Sequence, residues 1–129
     1  MKNLENALRV LKFKIHKIRT VQELSEEMGY KDAKYFTRLF RRNFGYTCKE
    51  AMIKVRVEKF IDCIQKNPNQ KNYSCAKDMG LPDEIALNKY LRNHMGKNPT
   101  QFKAEIVNGT VTKRTIWKKG IIKKDSNSG

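Results

Sequence analysis

The stretch SEEMGYKDAKYFTRLFRRNFGYTCKEA, residues 25–51, returns as AKDMGLPDEIALNKYLRNHMGKNPTQF at residues 76–102, an offset of 51 positions. Met28 pairs with Met79, Gly29 with Gly80, Asp32 with Asp83, Arg41 with Arg92 and Gly45 with Gly96. The differences between the copies are mild: Ser25 and Ala76, Phe36 and Leu87, Arg38 and Lys89, Phe40 and Leu91, Phe44 and Met95. Two copies are too few for a solenoid, which needs at least about three repeats to bury a continuous core. The repeat predicts two duplicated modules.

Working outward, each copy reads as helix, short turn, helix. Thr20-Val-Gln-Glu23 has the form of a capping box and starts a helix that runs to Met28. Gly29 ends it, and Asp32 is a good N-cap for the next helix, which reaches about Asn43. Gly45 stops that one. Thr47-Cys-Lys-Glu50 is a second capping box, opening a helix from Cys48 to about Lys66, where Asn67-Pro68-Asn69 breaks it. In the second copy a helix ends near Met79, another spans Asp83 to about His94, and Asn98 caps a last one with Pro99 at its first position. Lys71 stands where Thr20 stands in the first copy, and a lysine side chain cannot cap. Ahead of the repeat, Asn3 to about Lys17 places Leu4, Ala7, Leu8, Leu11 and Ile15 at helical spacing. From Val111 to Ile122 the pattern allows a short hairpin or a loose basic arm, and 125–129 reads as disordered.

Composition narrows the class. The chain has 129 residues, with 28 Lys and Arg against 13 Asp and Glu, a formal charge of +15. A balance this basic points to a polyanionic partner, nucleic acid ahead of an anionic membrane, with simple solubility as the bland alternative. No run of 18 apolar residues and no secretory leader is present, so a soluble cytoplasmic protein with no membrane partner is expected. Cys48, Cys63 and Cys75 form no C-x-x-C pair, and the simplest expectation is three small, reduced, buried hydrophobes. With only His16 and His94, and no Gly-rich phosphate loop, neither catalysis, a metal site nor a cofactor is expected.

These residues resemble the DNA-binding region of the AraC/XylS family of bacterial transcription activators. The resemblance rests on G-Y-K-D-A-K-Y-F-T-R-L-F-R-R-N-F-G, on Arg56 in the connecting helix, on A-K-D-M-G-L and on G-K-N-P-T-Q-F, and it covers about residues 1–106. It implies an all-α fold of about seven helices, with two homeodomain-like helix-turn-helix lobes joined by a long helix that set recognition elements in two successive major grooves. The expected organisation is 1–47 for the first lobe, 48–66 for the connecting helix, 67–107 for the second lobe and 108–129 for a basic tail. A helix of 19 residues is about 28 Å long at 1.5 Å per residue, and successive major grooves on one face of B-DNA lie about 34 Å apart. One monomer is therefore able to span both. Arg56 either braces the lobes through a carboxylate, the favoured role, or touches phosphate.

Within the first copy, Tyr35, Phe36, Leu39, Phe40 and Phe44 form an apolar face and are expected in the core. Lys34, Thr37, Arg38 and Arg41 fall opposite at i, i+3, i+4 and i+7. The resemblance maps base reading onto Lys34, Thr37 and Arg38. Chemistry agrees, since Arg38 suits guanine O6 and N7, Thr37 suits a thymine methyl or a base edge, and Arg41, Arg42 and Lys31 suit phosphate or base. In the second copy the resemblance nominates Glu84, Ile85, Asn88, Lys89 and Arg92. Asn88 suits adenine, Lys89 guanine and Ile85 a thymine methyl, whereas Glu84 repels phosphate unless it accepts from a cytosine amine. The first lobe is expected to discriminate and the second mainly to anchor. Thr20, Thr47 and Asn98 are caps whose helix N-termini also donate to phosphate. Lys113, Arg114, Lys118, Lys119, Lys123 and Lys124 add sequence-independent attraction, with Trp117 able to anchor the tail on the body.

The expected function is sequence-specific binding of double-stranded DNA by a transcriptional regulator, an activator by resemblance, with RNA polymerase as a further candidate partner. The alternatives are a nonspecific or architectural DNA coater, and a module that binds an acidic protein. Either the chain is a short stand-alone regulator, binding as a monomer in the bacterial cytoplasm and on the nucleoid, or it is the DNA-binding end of a longer protein.

Overall fold

The computed structural model of the chain describes residues 3–117. Among these the fold is all-α: a 3₁₀ turn Leu4–Asn6, then α1 Ala7–Lys14, α2 Val21–Glu27, α3 Ala33–Phe44, α4 Cys48–Lys66, α5 Asn72–Asp78, α6 Glu84–Met95, α7 Pro99–Val107 and α8 Lys113–Ile116. None of these helices is long and apolar enough to cross a membrane. The described residues divide into two compact units, unit 1 up to Val55 and unit 2 from Arg56, and the boundary falls inside α4.

The offset of the repeat is kept at the helix boundaries. α2 and α5, α3 and α6, and the starts of α4 and α7 coincide when 51 is added to the residue number. Hydrogen bonds of the turns follow suit. Tyr30 N donates to the Ser25 carbonyl at 2.9 Å, as Leu81 N does to Ala76 at 2.8 Å; Gly45 N donates to Arg41 at 2.8 Å, as Gly96 N does to Arg92 at 3.1 Å. Gly45 and Gly96 lie at φ 83° and 73°, a left-handed conformation that closes the preceding helix and that a Cβ penalises.

Unit 1 buries Ala7, Leu11, Ile15, Ile18, Leu24, Met28, Phe36 and Phe40. The Tyr30, Phe36, Phe40 and Phe44 rings succeed one another at centroid distances of 5.0, 6.0 and 4.5 Å, which fixes how α3 is rotated about its axis. Tyr35 departs from expectation: it is 48% exposed and meets only the rim of that cluster, through Tyr30. The N-terminal helix is also shorter than its periodicity. Its first turn tightens to 3₁₀ under the Asn3 cap, and the chain leaves the helix after Lys14 through a turn, with Ile15 and Ile18 both buried.

Unit 2 repeats the plan with Val57, Phe60, Ile61 and Ile64 of α4 and with Cys75, Met79, Leu87, Leu91, Phe102 and Ile106. Lys71 caps nothing with its side chain, as expected. Lys103 instead ties α7 to the start of α5, donating to Asn72 Oδ1 at 3.3 Å and to the Gln70 carbonyl at 3.5 Å. Arg56 braces unit 2 through a carbonyl: its Nε donates to Met79 O at 2.9 Å, and its guanidinium stands 5.7 Å from the Tyr90 ring centroid. Met79 closes α5, so the cation meets the negative end of that helix.

Two expectations need correction. Cys63 and Cys75 are joined in a disulfide, and Cys48 alone is a free, buried thiol. Twelve residues separate the bonded pair, a spacing set by the α4–α5 turn that no short cysteine motif describes. The expected hairpin or loose arm is, over its first part, the helix α8. Thr112 and Thr115 cap it reciprocally, Val111 and Ile116 are buried, Lys113 pairs with Asp62, and Trp117 Nε1 donates to Glu58 at 2.8 Å, as its anchoring role requires. Lys118, Lys119, Lys123, Lys124 and the expected disorder of 125–129 lie outside the described residues.

Replacing Arg56 by Leu removes the donor to a buried carbonyl. Chemical denaturation should show a loss of about 2 kcal/mol, with Arg56→Lys recovering part of it.

Candidate nucleic-acid interface

Burying Phe36 and Phe40 turns the opposite side of α3 to solvent. Lys34, Arg38, Arg41 and Arg42 are exposed and Thr37 is half-buried. Lys31 lies exposed in the turn that precedes α3. With Val21 at the start of α2 and with Thr47, Cys48 and Lys49 at the start of α4, the α3 residues Lys34, Thr37, Arg38, Arg41 and Arg42 line one open concavity of about 710 Å³. Three chain segments thus converge: a basic helix face and the first residues of two helices.

The local sequence accounts for this arrangement. Asp32 accepts from the amides of Lys34 and Tyr35 at 2.9 and 3.4 Å, so α3 begins one residue before its first cation. Gly45 ends the helix, and Thr47 at once caps α4 by accepting from Glu50 N at 3.1 Å. The brevity of that turn sets the α4 N-terminus beside the basic face. A helix N-terminus presents unpaired amides and a partial positive charge, which suit phosphate.

Among the described residues no side chain pairs with Lys31, Lys34, Arg38, Arg41, Arg42 or Lys49. Elsewhere the lysines do find carboxylates, as in Lys14–Glu27, Lys97–Glu105 and Lys113–Asp62. The charge on this face is therefore uncompensated, which favours a polyanion. Thr37 Oγ1 donates to the Lys34 carbonyl at 2.9 Å. Its proton is spent on the helix, leaving an oxygen that accepts and a methyl group for apolar contact.

Lys49 is absent from the sequence-based set. Its place in the first turn after the Thr47 cap was the available signal, since a cation there borders the same phosphate-suited amides.

On α6 the nominated residues Glu84, Asn88, Lys89 and Arg92 are exposed, and Ile85 is 78% exposed. The offset pairs Lys31 with Pro82, Lys34 with Ile85, Arg42 with Asn93 and Lys49 with Thr100, so four cations of the first face have neutral counterparts. Pro99 at the start of α7 has no N–H, whereas Cys48 at the start of α4 has one. Glu84 sits in the first turn of α6, where a carboxylate stabilises the helix end.

No protein-family model matches the chain. The Msm operon regulatory protein of Streptococcus mutans is 28% identical over 74 residues, 57% of this chain. The chain spans only 26% of that protein's length. Among solved structures, the DNA-binding domain of AdpA, a global transcriptional factor crystallised with a target DNA, matches at a TM-score of 0.66 and 18% identity, over 84% of this chain and 96% of that one. The chain has the fold of an AraC-type DNA-binding domain. A regulator with an AraC-type DNA-binding domain from Chromobacterium violaceum matches likewise, at a TM-score of 0.64 and 16% identity over 80% of this chain and 90% of that one. The AraC-type fold is what the sequence resemblance implied.

In the wall of the concavity in unit 1, burial pushes the Cys48 thiol up to about 12 from its ordinary 9.0. The folded state holds it neutral, while the unfolded chain ionises it near 9.0, so unfolded molecules bind fewer protons above that pH and stability falls as pH rises from about 9 towards 12. Unfolding free energies at pH 7 and at about pH 10.5 should show a decline smaller in Cys48→Ala than in the wild type by on the order of 1 kcal/mol.

Proposed function

We propose that the chain is a transcriptional regulator that binds double-stranded DNA sequence-specifically, with α3 and α6 as the recognition helices for two successive major grooves. The observation that carries this is the convergence of Lys34, Arg38, Arg41, Arg42 and Lys49, all unpaired among the described residues, with the α4 N-terminus around one concavity. Support also comes from the likeness to the DNA-binding domain of AdpA, whose crystals contain a target DNA, and to the Msm operon regulatory protein.

In this reading Lys34, Thr37 and Arg38 meet base edges. Arg38 donates bidentately to a guanine, and Thr37 accepts from an exocyclic amine or packs its methyl on a thymine. Arg41, Arg42, Lys31 and the α4 N-terminus hold phosphates and fix register. Glu84, Ile85, Asn88, Lys89 and Arg92 form the second contact, which anchors more than it discriminates, because four of the first face's cations are lost and Pro99 removes an amide donor. Binding as a monomer, a cytoplasmic location, an activating role and contact with RNA polymerase complete the proposal. No catalytic role is assigned, and the Cys48 thiol, neutral at physiological pH, is no nucleophile.

Selection of bound sites from random DNA followed by competition tests the proposal. A preference for the selected site of about 10³ or more is expected; a ratio near one would replace it by a nonspecific coater. On that site Arg38→Ala should weaken binding at least tenfold or so and relax the preference at one base position, whereas Lys89→Ala should weaken binding evenly across sequences. Equal losses of specificity in the two variants would overturn the division of labour.

A further inference from the structure

Cys63 and Cys75 cross-link α4 to α5 within unit 2, with Cα atoms 5.7 Å apart. That separation lies where a disulfide forms or opens without moving the backbone. The two cysteines differ in access. Cys75 is fully buried, whereas Cys63 keeps 5% exposure and forms part of the wall of an open cavity of about 230 Å³ with Lys59, Asp62, Lys66 and Asp78. Asp62 is paired with Lys113, so among the described residues Lys59 and Lys66 share the cavity with a single unpaired carboxylate, Asp78. Ammonium groups beside a sulfur favour its thiolate and the arrival of another. At the corresponding places unit 1 carries Lys12 and Leu24 and builds the same helices, so the frame does not require this cross-link.

We propose that Cys63 is a thiol-exchange site at which small thiols switch unit 2 between a cross-linked and an open state. A thiolate RS⁻ enters the cavity and attacks Cys63 Sγ; the S–S bond breaks, and its electron pair leaves on Cys75 Sγ, which takes a proton from solvent. A second RS⁻ attacks the small thiol's sulfur in the mixed disulfide, releasing RSSR and a Cys63 thiolate that is protonated in turn. Two RSH are oxidised to RSSR as the protein pair is reduced to two thiols. With RSSR as oxidant the same steps run in reverse, and the restored cross-link restricts the unfolded chain and stabilises unit 2.

Glutathione serves as the probe on the full chain. Brief treatment of the oxidised wild type with reduced glutathione, followed by alkylation and peptide mass mapping, should find the mixed disulfide on Cys63. With glutathione disulfide, Cys75→Ser should be modified at Cys63 roughly tenfold faster than Cys63→Ser is at Cys75. The reduced wild type should melt roughly 10 °C below the oxidised form. A mixed disulfide on Cys75, or equal rates in the two variants, would overturn Cys63 as the point of entry; identical melting in both redox states would overturn the switch.

Discussion

The rotation of α3 about its axis is the constraint from which the rest follows. A helix with 3.6 residues per turn that buries positions 36 and 40 must turn positions 34, 37, 38 and 41 the other way. The apolar effect acts on Phe36 and Phe40, both fully buried, and by doing so aims four polar side chains that it does not touch. The Tyr30 and Phe44 rings at either end of the cluster hold that rotation along the length of the helix. The charge of the face is then no accident of surface composition, because it lies where packing leaves no alternative.

What the sequence made legible is what local chemistry dictates. Capping residues marked helix starts within a residue, as at Thr20, Asp32, Thr47, Asp83 and Asn98, because the side-chain oxygen that accepts from the first-turn amides is written at a fixed offset from the helix. Both left-handed glycines that close α3 and α6 were readable for the same reason. The misses are tertiary. Tyr35 lies at the edge of the apolar arc, and only the limited width of the neighbouring core leaves it half outside. The Cys63–Cys75 bond depends on two helices coming together, which a spacing of twelve residues does not announce. α8 was hidden because threonine, not glutamate, answers the Thr112 cap. At the candidate interface the α3 face could be read directly, while for Lys49 the Thr47 cap marks only a place in a first helical turn, and its nearness to the α3 face depends on how closely the turn after Gly45 brings the next helix.

The two units show how a shared scaffold tolerates divergent means. Thr20 caps α2 with its own hydroxyl, whereas the start of α5 is held by Lys103 reaching across from α7. Ser25 donates to the Tyr30 carbonyl inside unit 1, and its counterpart Ala76 removes the buried hydroxyl and with it the need for a partner. Arg56 and the disulfide are additions peculiar to the second unit. In each case the backbone path is kept while the side chains that support it differ.

That constancy of position has a consequence for how such a protein can change. Residues 33–44 and 84–95 have equal length, begin after an aspartate cap and end at a left-handed glycine. They are interchangeable cassettes: one can be copied over the other without altering a loop, a cap or the numbering of anything beyond it. The cost falls on the interior, where Phe36 and Phe40 would have to fit the space of Leu87 and Leu91. New surface chemistry can therefore be drafted in one unit and transplanted whole into the other, at the cost of core volume and, in the second unit, of the Tyr90 ring beneath Arg56.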